Sequence, residues 1–120
     1  MSFFREVFEE YGADYERTMA RFMGKEDMYI KFLNMFEKDD NIRKLENSIG
    51  SGDLTAAFEA AHTLKGVTAN LGLTPLYNAV CNIVEPLRTK TDCDYSDMYK
   101  LIEAEYKKVG LLRERLKEGK

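Results

Sequence analysis

The chain has 120 residues, 44% of them hydrophobic, and a formal charge of -3. That apolar share supplies one real core and little for a second, so a single domain over 1–120 is expected. The mild negative charge argues against non-specific binding to nucleic acid or anionic lipid, and no apolar run approaches the roughly 18 to 20 residues that cross a bilayer.

With only two prolines and eight glycines, the pattern reads as helix throughout. Phe3, Phe4, Val7 and Phe8 give a short amphipathic opening segment that Gly12 breaks. Tyr15, Met19, Phe22 and Met23 continue at helical spacing as far as Gly24. A long helix is then expected from about Glu26 to Ile49, with Tyr29, Ile30, Leu33, Phe36, Ile42, Leu45 and Ile49 as its stripe. The polar run from Glu37 to Asn41 weakens that stripe and marks a place for a kink or break. Gly50-Ser51-Gly52 stops the helix, and Asp53 opens the next. This one runs to about Leu71 and ends at Gly72. Thr74-Pro75 then reads as an N-cap and first-turn proline, leading a helix through Leu76, Val80, Ile83, Val84 and Leu87 that Pro86 kinks or ends. After a polar connection over 92–97, a last helix spans about Tyr95 to Leu116. No stretch shows sustained period-two alternation. The expected fold is all-α: an antiparallel up-and-down four-helix bundle with an additional short N-terminal helix.

His62 is the only histidine. It is followed by Thr63, Leu64, Lys65 and Gly66, so an imidazole, an ammonium and a residue without a side chain lie within one helical turn. At 100° per residue, Leu54, Ala57, Ala60, Ala61, Leu64, Val67 and Leu71 gather on one side, and His62 falls roughly 160° from their centre. Thr55, Glu59, Thr63, Gly66 and Asn70 share its outward half, with Phe58, Lys65 and Ala69 on a flank. A glycine inside a helix costs about 1 kcal/mol relative to Ala, and among such good helix formers its presence implies a close approach by something else. An exposed polar group on a smooth, partly apolar face suits a transient partner. The ring nitrogen is a nucleophile, Lys65 can stabilise an arriving phosphoryl group as a point charge, and Gly66 leaves room for the protein that brings it.

The block His62-Thr63-Leu64-Lys65-Gly66, with Ala69-Asn70-Leu71-Gly72 after it and Ala60-Ala61 before, resembles the histidine phosphotransfer (HPt) domains of two-component phosphorelays. The resemblance covers nearly the whole chain, although its sharp part is about a dozen residues. It implies a four-helix bundle in which His62 exchanges a phosphoryl group with the aspartate of a response-regulator receiver domain. Lys65 then matches the charge-stabilising position and Gly66 the clearance position, while Phe58, Glu59, Ala69 and Asn70 fall on the docking face. The partners implied are a receiver domain, a hybrid histidine kinase, or both. The domain would be a phosphocarrier without kinase activity, needing no cofactor of its own because the Mg²⁺ belongs to the receiver. Some members place a glutamine near the position of Val84, where its amide bonds the imidazole. Val84 cannot do this, and Asn82 or Glu85 are the nearby polar residues. The rival reading is a non-catalytic helical adaptor that docks a receiver-like partner and makes His62 dispensable.

Other features have plainer readings. Tyr11, Tyr15, Phe22, Phe32, Phe36 and Tyr77 recur at helical spacing and read as core or staple residues. Glu37, Asp39 and Asp40 alternate with Lys38 and Arg43, which suits a solvated helix face better than a metal site. Cys81 reads as a small buried residue. Cys81 and Cys93 lack CxxC spacing, and the N-terminus lacks the basic-then-apolar order of a signal peptide, so a cytoplasmic protein with reduced thiols is expected. A free-standing monomer is the expectation for assembly.

Overall fold

The computed structural model describes residues 2–118, and every regular element in them is an α-helix. There are seven among the described residues: α1 (Phe3–Tyr11), α2 (Tyr15–Arg21), α3 (Glu26–Glu37), α4 (Asn41–Ser51), α5 (Leu54–Asn70), α6 (Thr74–Arg88) and α7 (Ser96–Glu118). The all-helical expectation holds, with two helices where one short N-terminal helix is expected and a full break at the polar run from Glu37 to Asn41, where a kink or break is expected. The N-terminal piece is two helices, α1 and α2. The expected long helix from Glu26 to Ile49 is also two, α3 and α4.

The cause of the second break is local. Asp39 Oδ1 accepts hydrogen bonds from the backbone N–H of Asn41 at 2.7 Å and from its Nδ2 at 2.8 Å. A short carboxylate that bonds the backbone two residues on competes with the helical ladder and restarts it. The surrounding acidic residues are also engaged: Arg43 pairs with Asp40 at 2.7 Å and Arg113 with Glu37 at 2.7 Å. They flank a turn instead of forming a continuous helix face.

Side-chain caps set three other helix starts. Ser2, Asp14 and Asp53 accept from the backbone N–H of Arg5, Arg17 and Ala56, each at 3.0 Å. At α6 the cap position belongs to Leu73 and Thr74 is the first helical residue, so the helix starts one residue earlier than expected. Pro86 lies inside α6, which runs two residues past it. A proline this near the end forfeits one ladder bond and little else. Its own carbonyl accepts from Thr91 N at 2.9 Å and Tyr95 Oη at 3.0 Å, which closes the helix end.

α5 packs against both α4 and α6, and α7 packs against α6, α3, α1 and α4. Phe8, Tyr29, Leu33, Leu45, Leu64, Leu76, Ile83, Ile102 and Leu116 are sealed in one continuous core. α5 and α6 run antiparallel, since Arg88 in the last turn of α6 covers Phe58 in the first half of α5. The C-terminal end of α5 is held from outside. Arg21 Nη1 donates to the carbonyls of Ala69 and Asn70, both at 3.2 Å, and the buried Tyr29 hydroxyl donates to the Leu71 carbonyl at 2.6 Å. Burial pushes the Tyr29 phenol well above its ordinary range, so it stays a neutral donor. The carbonyls of Asn70 and Leu71 at the helix end thereby gain side-chain donors, and that of Ala69, which also accepts from Gly72 N at 3.1 Å, gains a second.

Candidate functional site

α5 has two clean faces. Ala57, Ala60, Ala61, Leu64 and Thr68 are buried. Thr55, Glu59, His62, Thr63, Gly66, Ala69 and Asn70 are all exposed, with Phe58, Lys65 and Val67 at the borders. The imidazole therefore faces water, as the periodicity predicts. Thr68 is the one polar residue on the inward face. Its hydroxyl donates back to the Leu64 carbonyl at 2.7 Å and the Lys65 carbonyl at 3.2 Å, so the helix itself satisfies it.

Lys65 lies one turn beyond His62, half-buried, and among the described residues no carboxylate comes within ion-pair range of it. Gly66 completes the turn. A Cβ built there would meet nothing within 4 Å. No packing inside this chain demands a glycine, so the space it opens lies outward. Glu59 is exposed beside Thr63 in a shallow furrow against Lys44 and Ser48 of α4.

The docking residues expected from the sequence divide between two environments. Gly66, Val67 and Asn70 line an open groove whose opposite wall is Phe32 and Met35 of α3 with Asp39 of the turn after it. Phe32 is 41% exposed and Met35 56%, so Phe32 is not the core residue its spacing suggested. It leans on Phe22 with ring centroids 5.7 Å apart. The hint in the sequence was a second apolar stripe, Met28, Phe32 and Met35, one position off the buried one. Tyr77 and Cys81 are likewise only partly buried, and both cysteines are free.

Val84 is sealed in the core at 1% exposure and cannot reach the imidazole. Neither expected substitute does so. Asn82 is exposed, and Glu85 is committed to Arg88, whose Nε donates to both carboxylate oxygens at 3.2 Å. Among the described residues nothing hydrogen-bonds the His62 ring. Its neighbour is Phe58, and that ring is in turn covered by Arg88. Arg88 is a site residue that sequence reasoning missed.

Among the described residues no group of three His, Cys, Asp or Glu side chains could hold a metal ion, and no helix is long and apolar enough to cross a membrane. An all-helical domain with one solvent-facing histidine, an unpaired ammonium and an open glycine on a single face has the makings of a group-carrier module. A family model described as the Hpt domain matches residues 27–92, more than half of the chain. The chain belongs to the Hpt domain family, whose members are phosphocarrier modules of two-component phosphorelays and not kinases. No curated protein and no solved structure matches it.

Proposed function

We propose that His62 is the phosphoryl acceptor and donor of this chain, exchanging the group with the aspartate of a receiver domain. The single observation that carries this reading is the exposed imidazole with unobstructed space at Gly66 one turn away. A neutral ring nitrogen attacks phosphorus in line as the P–O bond to the partner's carboxylate breaks. The electron pair of that bond returns to the aspartate, and the ring takes up positive charge while keeping the proton on its other nitrogen. Lys65 stabilises the phosphoryl oxygens in the product. The Mg²⁺ that neutralises the group in flight belongs to the receiver, whose acidic residues reach His62 across Gly66.

The partner's footprint on this reading extends from His62 along the groove between α3 and α5. Phe32, Met35 and Val67 supply apolar contact there, with Asn70 and Asp39 at the rim. Met35→Asp is therefore expected to weaken receiver binding by about tenfold, equivalent to about 1.4 kcal/mol, while thermal stability stays unchanged because the side chain is exposed. Titration calorimetry with the receiver checks this, and unaltered affinity would move the footprint elsewhere.

The direct test incubates the chain with a phosphorylated receiver and Mg²⁺. Label is expected to pass to the α5 segment in an acid-labile, alkali-stable form. Label that survives acid, or none from any receiver tried, would end the reading.

A further inference from the structure

Among the described residues His62 lacks a hydrogen-bond partner but not a neighbour. Phe58, one turn earlier on α5, lies with its ring centroid 5.6 Å from that of the imidazole and the two planes 22° apart. The Arg88 guanidinium covers the Phe58 ring at 4.8 Å, and Glu85 holds the guanidinium in place. A carboxylate, a guanidinium, a phenyl ring and an imidazole thus follow one another across the α5–α6 interface. We propose that Phe58 is the positioning residue for the His62 ring and that Arg88 clamps Phe58, so that stacking orients the acceptor where no side-chain amide does.

The proposal rests on His62 being the acceptor; what it adds is how the ring is aimed. Helical side chains lean toward the N-terminus of their helix, so the imidazole naturally lies back over position i-4. Phe58 is a fixed plate because it is half-buried and packs against the core. Its offset, nearly parallel contact with the imidazole is a favoured aromatic geometry, and a guanidinium over its ring is favoured as well. A hydrogen bond from an amide would act on one ring nitrogen and select a tautomer. The stack acts on the face of the ring instead, leaving both nitrogens open, one to attack and the other to keep its proton.

The size of the effect follows from rotamer counting. In a helix an unsupported imidazole distributes over about two χ1 wells, because the third clashes with the preceding turn, and two broad χ2 orientations, so loss of the plate leaves roughly a half to a quarter of the rings correctly aimed. The Phe58→Leu chain is expected to transfer phosphoryl about two- to fourfold more slowly from the saturated receiver complex. The family resemblance puts Phe58 on the docking face, but its half-buried ring is covered by His62 and Arg88. The Kd for the receiver should therefore stay within about twofold of wild type, and Phe58→Tyr should restore the rate, because aim and not docking has changed.

Two readouts decide the matter. In NMR spectra of the intact, unphosphorylated chain, the His62 ring protons should show upfield ring-current shifts and cross-relaxation to Phe58, and Phe58→Leu should abolish both. Transfer kinetics from a phosphorylated receiver should show the loss in rate and not in affinity. Wild-type rate in Phe58→Leu overturns the positioning role alone, and so does a loss confined to Kd, which would make Phe58 a docking contact. Failure of the wild-type chain to take label from any receiver overturns the acceptor reading and the positioning role together.

Discussion

His62→Gln is expected to take no acid-labile phosphate from any receiver, and Gly66→Gln to slow transfer by about a hundredfold or more with His62 still present. The two losses have different origins. Glutamine matches the length of the imidazole roughly, but its amide nitrogen has no free electron pair with which to attack phosphorus. At position 66 the nucleophile is intact and only the approach is blocked. A Cβ there meets nothing, so the longer side chain extends into the volume the partner must enter, where a displacement of 1 Å from the productive geometry costs on the order of a hundredfold. Neither change should reduce stability, because both positions are exposed: His62→Gln should shift folding by about 0.5 kcal/mol or less, and Gly66→Gln exchanges a poor helix former for a better one. Label transfer from a phosphorylated receiver, with urea unfolding of each variant, measures both effects. Label on His62→Gln would place the acceptor elsewhere, and normal transfer by Gly66→Gln would remove the clearance role. A receiver that binds wild type and His62→Gln alike without ever labelling either would favour the adaptor reading.

What the sequence discloses of this site depends on whether the deciding interaction is local. The outward placement of His62 and Gly66 needs only the 3.6-residue period of the alanine- and leucine-rich helix, and both are exposed in the structure, although Leu54 and Val67 of the inward stripe are only half-buried and Thr68 is buried in addition. The ends of α5 were equally readable from Asp53 and Gly72. The break between α3 and α4 was less so. The polar run from Glu37 to Asn41 marks the place, but apolar register continues from Tyr29 to Ile49 across it, and what makes it a break and not a kink is one carboxylate bonding Asn41, which periodicity does not register. Phe32 and Met35 were obscured for a related reason. Two apolar stripes about 100° apart overlap on α3, and only tertiary packing, of α7 against that helix and of Phe4, Phe8 and Phe22 against Tyr29, decides which one is buried. Arg88 lay beyond reach altogether. Its place over Phe58 depends on how α6 folds back along α5, a tertiary relation that no spacing in the sequence encodes.

Two alanine substitutions six residues apart should act in opposite directions, and the larger effect belongs to Gly72→Ala. Gly66 has ordinary helical geometry with open space around it, so Gly66→Ala should stabilise the fold by about 0.5–1 kcal/mol through helix propensity alone. Gly72 ends α5 with φ at 65°, its N–H bonding the Ala69 carbonyl at 3.1 Å while Leu73 N bonds Thr68 O at 3.0 Å. A side chain in that left-handed conformation costs about 1–2 kcal/mol. The added Cβ would also run into Thr18 Oγ1, with Thr18 Cβ and Cγ2 each 3.0 Å away. Thr18 is 2% exposed and β-branched, so it has little freedom to turn aside. Overpacking of this kind adds about 1–3 kcal/mol. The expected loss is about 2–5 kcal/mol, a large part of the 5–15 kcal/mol typical of a whole domain. Urea midpoints measure it, and Thr18→Ala in the Gly72→Ala background should recover the steric part, leaving the backbone part. A midpoint in Gly72→Ala equal to that of wild type would mean that α2 does not close beneath the end of the histidine-bearing helix. The anchoring of α5 by Arg21 and Tyr29 would then need another explanation, since both residues belong to the same N-terminal support.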